Sequence, residues 1–214
     1  MADDLATLRR ALDDGRIGVL VSELDGVLRR FDDRAWSRFD DLAGVGHGAV
    51  FRATLRNPLL QDVLRGRATH AQWRASAVGD LVDHGADALR ARDAVDAWAA
   101  TPAVVDPDVA ALLRTARVAE VPVFVFTNGT DRVPAEMADL GLDEFTAPRG
   151  THLLNSAELG AAKPHIEAYD AARARISHVL GRPVEAAEIW FLDDSPGHIA
   201  GASAAGWNAV LRTP

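Results

Sequence analysis

Three short apolar runs constrain this chain more than any other feature. They are Ile17-Gly18-Val19-Leu20-Val21, Val121-Pro122-Val123-Phe124-Val125-Phe126 and, after Glu188, Ile189-Trp190-Phe191-Leu192. Each is strand-sized, rich in β-branched or aromatic residues, and continuous rather than alternating. An alternating strand turns one face to water, whereas a continuous apolar strand must be covered on both faces, as in a parallel sheet. The run Trp207-Asn208-Ala209-Val210-Leu211 is a fourth strand candidate. Residues 3–14 read as a short amphipathic helix on Leu5, Leu8, Ala11 and Leu12. Asp106-Pro107 supplies an N-cap and first turn for a helix over 108–119, with Val109, Leu112, Leu113 and Ala116 on its apolar face. Pro164 opens another predicted helix, running to Leu180 with Gly181 just past its end. Strand–helix alternation of this kind predicts an α/β fold with a doubly wound, Rossmann-like parallel sheet.

The stretch from 31 to 100 breaks the alternation. It offers no strand but several helical segments: Phe31–Leu42, Ala49–Leu55, Pro58–Leu64, Thr69–Val82 and Ala86–Trp98. A connection of about 70 residues is far longer than an ordinary crossover, so it reads as an inserted helical domain. The expected division is a core of residues 1–28 and 101–214 with a helical cap of residues 29–100. Trp36, Trp73 and Trp98 are expected to pack helices together. Gly44-Val45-Gly46-His47-Gly48 has no strand before it, so it reads as an interhelical turn and not a dinucleotide loop.

Charge and composition remove several functions. With 23 Lys and Arg against 31 Asp and Glu, the net charge is −8, which opposes nucleic acid as a partner. A small anionic substrate is still allowed, because a bound divalent cation inverts the local field. The absence of cysteine excludes disulfides, thiolate nucleophiles and Cys-based metal sites. The seven histidines show no zinc-ligand spacing. No segment resembles a signal peptide or a membrane span, so a cytoplasmic protein without membrane contact is expected.

In an open parallel sheet, ligands bind beyond the carboxyl ends of the strands. Polar groups stand there after each run: Ser22-Glu23-Leu24-Asp25-Gly26, Thr127-Asn128-Gly129-Thr130 and Asp193-Asp194-Ser195-Pro196. Lys163 lies in the Gly/Pro-rich loop before the predicted helix at Pro164. Taken singly, these are helix caps, turns and a surface lysine. Taken together, at successive strand ends, they describe a phosphate and magnesium site. Hard oxygen ligands suit Mg²⁺, and phosphoryl transfer needs positioned charge more than covalent ingenuity.

The segments E-L-D-G-V-L, V-F-V-F-T-N-G, N-S-A-E-L-G-A-A-K-P and W-F-L-D-D-S-P resemble the four ordered motifs of haloacid dehalogenase-like hydrolases. The likeness runs from residue 17 to 212, and the D-D-S-P-G-H-I-A-G-A-S-A-A-G-W ending is similar to the phosphatase-type subgroup with a helical cap after the first strand. The resemblance implies a phosphatase acting on a small phosphorylated metabolite through an acyl-phosphate intermediate. It assigns Glu23 as nucleophile and Asp25 as acid and base. Thr127 and the amides around Asn128 and Gly129 would hold phosphoryl oxygens, and Lys163 would offset their charge. Mg²⁺ would be held by the Glu23 carboxylate, the Asp25 carbonyl and Asp194, with Asp193 and Ser195 in support. Aspartate is the family's residue at position 23. Three readings of Glu23 follow: a poor nucleophile, a metal and phosphate ligand in a catalytically silent binder, or an introduced change. A 2-haloacid dehalogenase is the rival within the fold, although that chemistry uses no metal and its members typically lack a carboxylate at position 25. Cap residues Arg34, His47, Arg52, Trp73 and Arg74 are specificity candidates. Arg29 and Arg30, just after the first motif, are within reach of a substrate anion but are expected to be solvated surface arginines.

Overall fold

A computed structural model of the chain describes residues 4–32 and 35–213. In chain order the core opens with α1 (Asp4–Asp13), β1 (Val19–Ser22) and β2 (Arg29–Arg30). The insertion carries α2 (Trp36–Ala43), α3 (Ala49–Leu55), α4 (Leu60–Val63), α5 (His70–Asp83) and α6 (Ala88–Ala99). The chain continues through β3 (Val104–Val105), α7 (Pro107–Val118), β4 (Val123–Thr127), α8 (Val133–Asp139), β5 (Leu153–Asn155), α9 (Ser156–Leu159), α10 (Ile166–Leu180), β6 (Ile189–Asp193), α11 (Pro196–Ala204) and β7 (Asn208–Leu211). Among the described residues no helix is long and apolar enough to cross a membrane.

Five strands form a parallel sheet in the order β5-β4-β1-β6-β7. β1 is central and buried throughout, as its unbroken apolar run requires. Leu20 joins the core beneath α1 and α7, together with Val125 and Leu192. Val19 and Val21 join the opposite layer, with Phe124, Phe126, Phe191 and residues of α10 and α11. Burying each such side chain contributes about 1.5–3 kcal/mol before entropy is counted. Ser22 pairs with Val125 on one side and Leu192 on the other, so the ends of β1, β4 and β6 open at one edge of the sheet.

The helix starts follow local chemistry. The Asp106 carboxylate accepts from the amides of Asp108 and Val109, capping α7 as its Asp-Pro sequence predicts. Gly181 ends α10 in the left-handed region, while the helix begins at Ile166, two residues after Pro164.

The inserted helices have a hydrophobic centre of their own, made by Phe39, Val50, Ala53, Ala77, Leu81, Ala91, Ala94 and Val95. Buried Asp40 accepts from the amides of Gly48 (2.7 Å) and Val50 (2.9 Å), which fixes residues 44–48 as the expected interhelical turn. Trp73 is buried, donates to the Thr54 carbonyl at 2.9 Å and meets Trp98 edge-on. It is a packing residue, as is Trp36 against Phe39 and Phe51.

Two details depart from the sequence reading. The first inserted helix starts at Trp36 and not Phe31, because Arg29–Arg30 pair antiparallel with Val104–Val105 in a short two-stranded ribbon. That ribbon straddles the expected boundary at residue 29, joining the two chain segments that flank the insertion. Arg29 is 4% exposed, not the solvated arginine its sequence position suggests. Arg30 is partly exposed and pairs with Asp106 at 2.7 Å. Arg34 lies outside the described residues.

Candidate active site

The three predicted strand-end clusters and Lys163 converge on the carboxyl edge of β1, β4 and β6. Glu23 follows β1 and is fixed there by its amide, which donates to the Leu192 carbonyl at 2.8 Å. One carboxylate oxygen, Oε1, accepts from the Leu24 amide at 2.7 Å; the other, Oε2, is paired with the Lys163 ammonium. Lys163 is 3% exposed and also donates to Asp193 Oδ2 (2.8 Å) and the Phe126 carbonyl (2.9 Å). Its three N–H bonds are therefore all used. The rings of Phe126 and Phe191 stand 4.9 Å from Nζ and wall it from solvent.

The loop that delivers Lys163 is clipped to the end of β4 by reciprocal bonds. Asn128 Nδ2 donates to the Lys163 carbonyl (2.8 Å), and the Lys163 amide donates to Asn128 Oδ1 (2.9 Å). The Asn128 side chain therefore builds the site from behind. Thr127 is buried at the end of β4. Gly129 departs from expectation: its amide already donates to Ser156 Oγ at 3.1 Å, so it is spent on the fold and not presented to a phosphate.

Asp193 ends β6 fully buried. It receives the Ser195 amide (2.8 Å) and faces His198 Nδ1, which lies 3.0 Å from Oδ2 and 3.1 Å from Oδ1. Ser195 caps α11 through the His198 amide. His198 escaped the sequence reading. Its signal was its placement one turn into the helix that starts at Ser195, a spacing that returns a side chain to the strand end. The other residue missed was Arg29, discussed below.

Two buried carboxylates compete for one buried ammonium. Although burial alone would raise it, Asp193 is held down to about 2 by His198 and Lys163. Burial pushes Glu23 up from 4.5 to about 7, opposed by Lys163 and reinforced by the negative charges of Asp193 and Asp25. Of the two, Glu23 is the one pushed toward its protonated form. Asp194 stands at the mouth, raised by partial burial and then by the charge of Asp193. It has no cationic side chain within ion-pair distance among the described residues. Its carboxylate lies against Gly26, whose φ of +81° and lack of side chain are both required: a Cβ there would collide with Asp194 Oδ2.

Glu23, Asp193 and His198 each offer a ligand atom within 4.8 Å of one another. The Lys163 ammonium already contacts both carboxylates, so that corner is filled by the protein's own cation. The mouth is different. Asp194 lacks a counter-charge, and Glu23 and the Asp25 backbone lie on the adjoining loop. Asp194 is a hard oxygen ligand with no ion-pair partner among the described residues, which suits Mg²⁺; Glu23 would join it only by giving up Lys163 or the Leu24 amide.

Proton competition gives this a measurable consequence. A raised carboxyl favours the protonated folded state, so metal-free stability should fall as pH rises from 4.5 to about 7 and level off above. If Glu23 is a metal ligand, metal uptake below pH 7 must expel its proton. Magnesium affinity should thus rise about tenfold per pH unit up to neutrality and then flatten. Calorimetric titration in buffers of different ionisation enthalpy reads both affinity and proton release; a pH-independent affinity would show that Glu23 is not a ligand.

A sequence model of haloacid dehalogenase-like hydrolases matches residues 18–206. The chain belongs to this family. Solved structures agree on the fold. The HAD family enzyme bt-2542 of Bacteroides thetaiotaomicron superposes with a TM-score of 0.68 at 19% identity, covering 92% of this chain and 94% of that one. The same enzyme in complex with magnesium and inorganic phosphate gives 0.67 at 18% identity, with the same coverage. An L-2-haloacid dehalogenase of Xanthobacter autotrophicus superposes at 0.60 with 26% identity, covering 90% of this chain and 76% of that one. No curated protein sequence matches this chain. The matched residues 18–206 span every segment of the site just described, from Glu23 to His198.

Proposed function

We propose that this hydrolase is a magnesium-dependent phosphatase of small phosphorylated metabolites, slowed by glutamate at the nucleophile position. The observation that carries the reading is the pair of carboxylates at the mouth that halide displacement does not need: half-exposed Asp25 and uncompensated Asp194. Glu23, Asp194 and the Asp25 carbonyl would hold Mg²⁺. When bound, the ion would neutralise charge on the phosphoryl oxygens.

The side chains then have distinct tasks. A Glu23 carboxylate oxygen attacks phosphorus in line, and the ester P–O bond breaks as Asp25 gives its proton to the departing alkoxide. The resulting acyl-phosphate on Glu23 is released when Asp25 takes a proton from water, whose oxygen bonds to phosphorus. Inorganic phosphate leaves and the Glu23 carboxylate is restored. Lys163 stabilises charge shared between nucleophile and phosphoryl group, and Thr127 contributes a hydroxyl at the strand end.

A second reading is supported by the Glu23–Lys163 pair. Both oxygens of Glu23 are engaged by the Leu24 amide and Lys163, which leaves neither free to attack and favours binding without turnover. A panel of phosphorylated metabolites and p-nitrophenyl phosphate, with and without Mg²⁺, separates the two. Metal-dependent phosphate release supports the phosphatase; binding of phosphate without release supports the silent binder. Chloride release from 2-chloropropionate would overturn both in favour of dehalogenation.

A further inference from the structure

Arg29 is a buried cation that the chemistry above leaves unused. The turn after β1 explains its place: the Arg29 amide donates to the Leu24 carbonyl and the Gly26 amide to the Arg29 carbonyl, both at 2.8 Å. The backbone thus folds back so that residue 29 sits beside residue 25. Arg29 Nε meets Asp25 Oδ1 at 2.5 Å, and its NH2 group meets Glu136 Oε2 of α8 at 2.9 Å. The Phe31 ring covers the guanidinium from 5.1 Å.

We propose that Arg29, anchored by Glu136, is a positioning residue that fixes the Asp25 carboxylate for proton transfer. The planar guanidinium reads both carboxylates in fixed directions. By holding Oδ1 it leaves Oδ2 for the leaving oxygen and the attacking water. Arg29 is shared by two carboxylates, so the trio sets one cation against two acidic groups.

This inference rests on the phosphatase reading, and its test keeps the two apart. Arg29→Gln, Arg29→Lys and Glu136→Gln are compared with the parent chain, each also in the Glu23→Asp background. Because kcat/KM covers only steps up to departure of the alcohol, an alkyl phosphate, whose leaving group needs a proton, should lose about 10–100-fold in Arg29→Gln. p-Nitrophenyl phosphate, whose leaving group needs little help, should lose less than about threefold. Arg29→Lys should recover part of the loss, and Glu136→Gln should shift the same ratio in the same direction. Vanadate, which presents an apical oxygen to Asp25, should bind Arg29→Gln at least about tenfold more weakly, while inorganic phosphate binds within about twofold of the parent. Equal losses on both esters, or on both anions, overturn the positioning role. If no variant hydrolyses any ester, the phosphatase reading falls and the vanadate-to-phosphate ratio alone decides Arg29.

Discussion

Replacing Glu23 with aspartate should raise magnesium-dependent hydrolysis of p-nitrophenyl phosphate at least about tenfold, if the proposed phosphatase reading holds. The reason is geometric first. Glutamate is one C–C bond longer, about 1.5 Å, and the structure shows where that length goes: the carboxylate reaches the Lys163 ammonium with one oxygen and the Leu24 amide with the other. In-line attack requires a free oxygen aimed at phosphorus, and a misplacement of about 1 Å costs on the order of 100-fold. Protonation adds to the handicap, since a carboxyl raised to about 7 is only partly ionised at neutral pH. Aspartate withdraws from Lys163 and leaves the ammonium free for the phosphoryl group. Steady-state assays on both proteins at matched magnesium decide the matter; equal or lower activity in the variant refutes this account of position 23.

Lys163→Met should destabilise the metal-free protein by about 3–5 kcal/mol, because removing one partner leaves buried charge without compensation. For a chain of this size that corresponds to a fall in Tm of roughly 6–20 °C. The two carboxylates it serves have side-chain exposures of 5% (Glu23) and 0% (Asp193), so water cannot replace it. The penalty has a pH signature. Below the raised value of Glu23 that group takes a proton and needs no counter-charge, so the loss should be larger at pH 8 than at pH 6. Adding Glu23→Gln to Lys163→Met should recover part of the stability. Urea denaturation of the single and double variants measures each term, and an unchanged midpoint in Lys163→Met would show that the ammonium is not the counter-ion of this cluster.

Much of the fold was legible because β1, β4 and β6 announced themselves by continuous hydrophobicity, which only two-sided burial rewards, whereas the three-residue β5 did not. The Asp106-Pro107 cap and the Gly181 stop were likewise visible, since caps are local chemistry. Boundaries were poorer where pairing partners are distant in sequence: nothing at Arg29–Arg30 foretells Val104–Val105, and the ribbon displaced the start of the first inserted helix. The same blindness affected the site. Glu23, Asp25, Thr127, Lys163, Asp193 and Asp194 could be named from strand ends and spacing, but not which amide is free or which cation is taken. Gly129 was read as a phosphate contact and is bound to Ser156, 27 positions away. Arg29 was read as solvated and is buried against Glu136, 107 positions away.

The carboxylate-rich strand ends are thus a property of the sequence, fixed by runs of apolar residues and the polar groups that terminate them. The tertiary structure decided their electrical state. Placing β1 between β4 and β6 brings Glu23, Asp193 and Lys163 into one dry corner, where two buried carboxylates share one ammonium and burial raises Glu23 above its ordinary value. Sequence spacing carries no information about that competition, because burial and charge pairing arise only when distant segments meet.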